Sequence, residues 1–96
     1  MPPTASVFPE VMFKNVGDSA NFTCTATGIP TPNITWYRNG TQVSGSGYEI
    51  ILVTANSSQL TIINVTHADH GYYECRAASN RMEPANARSF LGVIKG

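Results

Sequence analysis

The chain is short of charge, short of cysteine and without a long apolar run. Charged residues fill 12% of its 96 positions, six Lys and Arg against six Asp and Glu, so the formal net charge is zero. The cations are scattered, and a nucleic-acid or polyanion footprint, which needs a basic stripe, is excluded. A hydrophobic share of 42% with no net charge also excludes a disordered chain. No apolar stretch approaches the ~20 residues of a membrane-spanning helix. Met1-Pro2-Pro3 lacks the apolar core of a signal peptide, and Met1 reads as an added start residue. Helical spacing with caps is absent over any stretch of about ten residues, as are repeats, linkers and low-complexity tracts. One domain of modest core, burying about 60–70% of the surface of the unfolded chain, is the expectation for residues 1–96.

The two cysteines, Cys24 and Cys75, belong to no C-x-x-C pair, and His67 and His70 lie together in a polar turn, so no zinc template fits. Either the cysteines form one disulfide or they are two free buried thiols. N-x-[ST] decides between these. It occurs at Asn21, Asn33, Asn39, Asn56 and Asn64, never with Pro in the middle. Chance matches in a Thr- and Asn-rich β protein would give about one. The excess points to an extracellular glycoprotein domain, an oxidising compartment and a Cys24–Cys75 bridge. Closing a loop of that length contributes around 4 kcal/mol in the chain-entropy model.

What the chain has in quantity is period-two alternation. Ala20, Phe22, Cys24 and Ala26 face one way, and Ser19, Asn21, Thr23 and Thr25 the other. Ile34 with Trp36, Leu60 with Ile62, and Tyr73 with Cys75 and Ala77 repeat the pattern, and Val65 closes an end. Near the C-terminus Ser89, Leu91 and Val93 oppose Phe90 and Ile94. Such strands have one packed and one wetter face. Turn chemistry at "NVGD", "GIPTP", "NG", "SGSG", "ANSS" and "THADHG" separates them at the spacing of an all-β sandwich or barrel. Cys24 and Cys75 both point inward and are placed to bridge two facing sheets. Trp36, 12 positions after Cys24, is placed to cover the sulfurs. Tyr73 is placed to send its hydroxyl back to the preceding turn, Gly71 to allow that turn, and Asp69 to accept its backbone N–H groups.

Together Cys24, Trp36, Leu60-x-Ile62 and Asp69-x-Gly71-x-Tyr73-x-Cys75 resemble the immunoglobulin superfamily over nearly the whole chain. "GIPTPNITWYRNG", "VGDSANFTC" and "CRAASN" are similar to its intermediate, or I, set. The resemblance implies a two-sheet Greek-key sandwich with one inter-sheet disulfide. It also implies a module of a cell-adhesion molecule, guidance receptor, receptor tyrosine kinase, matrix protein or muscle giant. Two departures stand out. Where many such domains open strand D with an Arg that pairs with the Asp, Gly47 precedes Tyr48, which leaves Asp69 to cap its turn. The last hairpin, "SNRMEPANA", lacks the usual Gly after Asn80.

No enzyme chemistry is visible. His67, Asp69 and His70 share one short turn with neither oxyanion donors nor a nucleophile elbow. No cofactor or metal is implied, and the expected partner is a protein. Parity puts Tyr37, Tyr72, Glu74, Arg76, Arg88 and Phe90 outward on the sheet that carries Trp36 and Cys75, with Arg81 and Met82 at the hairpin tip. Tyr, Arg and Phe are common interface anchors, although exposed aromatics in a sheet also simply cover their cross-strand neighbours. Sugar on Asn21, Asn56 and Asn64 would shield the other sheet, and sugar on Asn33 and Asn39 would frame this outward face. The expectation is an ectodomain module of a membrane-anchored adhesion or guidance receptor that itself enters no membrane. Self-association through strand edges or a sheet face is one form its contacts take. The alternatives are a ligand-binding module of a receptor tyrosine kinase and a structural spacer in a rod.

Overall fold

Alternation becomes strands wherever a run of β-formers has one apolar face to bury. The computed structural model describes residues 2–45, 47–79 and 82–94. Among these, nine strands form: β1 (Thr4–Phe8), β2 (Val11–Asn15), β3 (Ala20–Thr27), β4 (Asn33–Arg38), β5 (Thr41–Gln42), β6 (Tyr48–Thr54), β7 (Ser57–Ile62), β8 (Gly71–Ala78) and β9 (Ala85–Ile94). A single 3-10 turn, His67–Asp69, precedes β8. The strands make a four-stranded sheet in the order β1-β3-β7-β6 and a five-stranded sheet in the order β2-β9-β8-β4-β5. This is the expected all-β sandwich. Cys24 of the first sheet is bonded to Cys75 of the second, with their Cα atoms 6.3 Å apart, within the ordinary range for a disulfide.

The core lies where the alternation puts it. Phe22, Cys24, Trp36, Leu60, Ile62, Val65, Tyr73, Cys75 and Leu91 are all buried. Each large apolar side chain among them contributes about 1.5–3 kcal/mol relative to exposure. Trp36 is paired in register with Cys75, and its Nε1–H donates to Ser58 Oγ at 3.0 Å, which satisfies a buried hydroxyl on the facing sheet. Phe22 and Tyr73 stack between the sheets, 5.8 Å between ring centres.

The Asp69 turn is built as its residues suggest. Thr66 N–H donates to Asp69 Oδ2 at 2.8 Å, and Tyr73 O–H donates to the Asp69 carbonyl at 2.7 Å. Gly71 has φ of +141°, a conformation side chains other than glycine's disfavour. The cation missing before Tyr48, at the start of β6, comes instead from β4. Arg38 Nη2 donates to the carbonyls of Ala68 and His70, on either side of Asp69, and its guanidinium lies 5.5 Å from the centre of the Tyr73 ring. Arg38 shares parity with Trp36, so an inward-facing cation at that strand end was readable in the sequence as a group in need of partners.

Two features have no counterpart in the sequence reading. The N-terminal strand divides at Phe8-Pro9-Glu10: β1 pairs antiparallel with β3, and β2 crosses to pair parallel with β9. Along β6, at the open edge of the four-stranded sheet, Ile50, Ile51, Leu52 and Val53 are consecutive, apolar and exposed.

Candidate functional site

Strands β2, β9, β8 and β4 present one continuous outward face, set by the pleat. Tyr72 lies opposite Phe90, and Glu74 lies opposite Arg88 on one side and Tyr37 on the other. These pairs place an aromatic ladder beside a charged row. The Phe90 ring is 5.0 Å from Tyr72, 6.4 Å from Phe13 and 5.1 Å from His70, centre to centre. The Arg88 guanidinium sits 4.5 Å above Tyr72, and that of Arg76 sits 4.2 Å above Tyr37. Arg76 also pairs with Glu74 at 3.3 Å. The guanidiniums are thus held over rings while remaining at least partly open to solvent, which lowers the entropy lost when a partner engages them.

Val11 and Phe13 extend this face beyond what parity predicted. Both are exposed, and Phe13 lies directly over Gly92, where an added Cβ would meet its ring at 2.4 Å. Alternation in "VMFKN" shows that these residues share a side but not which sheet the strand joins. A depression of about 260 Å³ opens between Asn39, Gly40, Tyr72, Glu74 and Arg88. Met82 is half-buried, its N–H donating to Ser79 O at 3.3 Å, while Arg81 and Asn80 lie outside the described residues.

The sequons are spread over both sheets. Asn21 is exposed on β3, where its Oδ1 accepts from Thr61 Oγ1 at 2.7 Å. Asn33 opens β4, Asn39 occupies the β4–β5 turn with φ of +51°, and Asn64 has φ of +53°; all three are exposed. Asn56 differs: it is half-buried, and its Nδ2 donates to Ala26 O at 3.1 Å.

The His67–His70 turn carries structure. His70 Nδ1 accepts the Val93 N–H at 3.1 Å, and its ring packs edge-on against Phe90. Among the described residues, no group of three or more His, Cys, Asp or Glu side chains converges as a metal site would require, and no helix is long and apolar enough to cross a membrane.

The fold has counterparts in known proteins. A family model described as "Immunoglobulin domain" matches residues 2–79. Protein turtle homolog B of Rattus norvegicus is 36% identical over 92 residues, which is 94% of this chain and 7% of that protein. The limbic system-associated membrane protein of the same species is 35% identical over 83 residues, 83% of this chain and 24% of that protein. The chain therefore spans a quarter or less of these relatives. In the N-terminal Ig1-2 module of the Drosophila receptor protein tyrosine phosphatase DLAR, the similarity covers all of this chain and 50% of that one, with a TM-score of 0.85 and 29% identity. With its sandwich, its inter-sheet disulfide and a family model covering most of its length, the chain belongs to the immunoglobulin domain family.

Proposed function

We propose that this chain is a single extracellular module of the I set, part of a cell-surface adhesion or guidance receptor, and that it acts by protein–protein contact with no catalysis of its own. The observation that carries this reading is the outward face of the five-stranded sheet. Tyr37, Tyr72, Arg76 and Phe90 form a preorganised aromatic and guanidinium surface on it, which is the composition of interface hot spots. Met82 lies in the β8–β9 connection at its end. The similarity to turtle homolog B and the limbic system-associated membrane protein supports the adhesion reading, and the disulfide supports an oxidising compartment.

Glycans confine the contact. Asn21 and Asn64 carry sugar away from the face, and Asn33 and Asn39 frame it. Asn56 stays bare, because its Nδ2 is held against Ala26 O. Peptide mapping of secreted protein is expected to find glycan at the other four sequons and none at Asn56; full occupancy of Asn56 would contradict this assignment.

The binding test presents the multimerised domain to a panel of cell-surface ectodomains. A captured ectodomain is expected to lose about tenfold or more in affinity with Tyr72→Ala or Phe90→Ala, each variant remaining folded by far-ultraviolet circular dichroism. A partner that binds both variants like wild type places the contact elsewhere, and failure to capture any ectodomain supports the spacer reading.

A further inference from the structure

Strand β6 is an open template. We infer that it pairs, antiparallel and in isologous fashion, with β6 of a second copy of this chain, joining two four-stranded sheets into one. Ile63 N–H donates to Gly47 O at 2.9 Å. The antiparallel alternation from there turns the backbone groups of Glu49 and Ile51 toward β7 and those of Ile50 and Leu52 toward the open edge. Tyr48 N–H, on the same open side, is already taken by Gly45 O at 3.4 Å. Ile50 and Leu52 therefore offer the free donors and acceptors.

The side chains at this edge are apolar on both faces. Ile50 and Leu52 lie opposite buried Leu60 and Ser58, on the side facing the second sheet, yet are 48% and 67% exposed. The second sheet ends in the two-residue β5 and does not extend far enough to cover them. Ile51, on the other side, is 45% exposed. Edge strands are usually guarded by Lys, Pro, an inward charge or a bulge. Here neither Lys nor Pro occurs in Tyr48–Thr54, and the one irregularity, between Leu52 and Thr54, lies at the far end.

A second copy fits this edge by register and charge. A two-fold axis through Ile51 sets Ile50 opposite Leu52 of the second copy and Leu52 opposite its Ile50. The free groups of both then bond to each other, and like faces meet apolar with apolar. Glu49, the one charge on the strand, falls opposite Val53 rather than its own copy, and the zero net charge of the chain adds no long-range repulsion. The outward face of the five-stranded sheet takes no part.

Sedimentation equilibrium from ~10 µM to ~1 mM tests this, in the range of small, transient interfaces. The expected result is a mass rising from 10.3 kDa toward twice that value with concentration. Ile50→Pro removes an edge-facing N–H and no ladder bond to β7, a position where an edge strand tolerates proline. Leu52→Lys places a charge on an already exposed site. Each is expected to weaken association at least about tenfold, with the near-ultraviolet circular dichroism of wild type retained. Tyr72→Ala is expected to associate like wild type. A wild-type mass constant at 10.3 kDa across the range, a dimer that survives both edge variants, or one dissolved by Tyr72→Ala overturns the inference.

Discussion

Tyr73 and Arg38 tie the Asp69 turn to the five-stranded sheet. The Tyr73 hydroxyl donates to Asp69 O, and Tyr73→Phe is expected to cost about 0.5–1.5 kcal/mol in urea unfolding. Burial pushes this phenol well above its usual range near pH 10, against the downward pull of Arg38. The folded protein thus holds the proton more tightly than the unfolded chain. This contribution to stability is complete below about pH 10 and falls as the pH rises above it. Tyr73→Phe should flatten that alkaline loss; an unchanged slope would show that other groups cause it. Arg38→Met leaves the Ala68 and His70 carbonyls without their charged donor and is expected to cost about 1–2 kcal/mol. Arg88→Met removes only an exposed stacking contact and should cost no more than about 1 kcal/mol. Equal urea midpoints for the two variants would contradict this ranking.

At the scale of elements, turn chemistry was legible wherever a residue type has one mechanical use. Asn39 and Gly40 have φ of +51° and +79°, and Tyr37 and Arg38 pair with Gln42 and Thr41 on either side. This is the two-residue hairpin that "NG" announces. An added Cβ meets nothing within 4 Å at Gly40 or Gly71, so substitution there costs backbone conformation alone. Gly71→Ala, at φ of +141°, is expected to lose about 1–3 kcal/mol, and Gly40→Ala, in the left-handed region, about 1 kcal/mol; thermal melts check the order. Parity also placed Tyr37, Tyr72, Arg76, Arg88 and Phe90 on the outward face. It could not place Val11 and Phe13, because alternation says which residues share a side and not which sheet a strand joins. Alternation is equally silent about the run at residues 50–53. A continuous apolar run is compatible with a strand covered on both faces, yet β6 is an uncovered edge, since the opposite sheet stops at β5, whose two-residue length no alternation announces.

At the scale of the whole molecule, one covalent tie joins two sheets whose other contacts are apolar or single hydrogen bonds such as Trp36 to Ser58. Replacing both Cys24 and Cys75 by Ala is expected to lower unfolding free energy by around 4 kcal/mol, a large share of the roughly 5–15 kcal/mol typical of a domain. The double variant should unfold at a much lower urea concentration, and a midpoint unchanged from wild type would show that the bridge constrains little. The sandwich keeps two exposed surfaces apart: an aromatic and guanidinium face on the five-stranded sheet and an open strand at the edge of the other. The most direct test of where the molecule makes its partner contact is an NMR titration of the isotope-labelled domain with a captured ectodomain. The structure predicts the largest backbone shifts at Tyr37, Tyr72, Arg76, Arg88 and Phe90, with β3 and β7 unmoved; shifts centred on Asn21, Gln59 and Thr61 would contradict it.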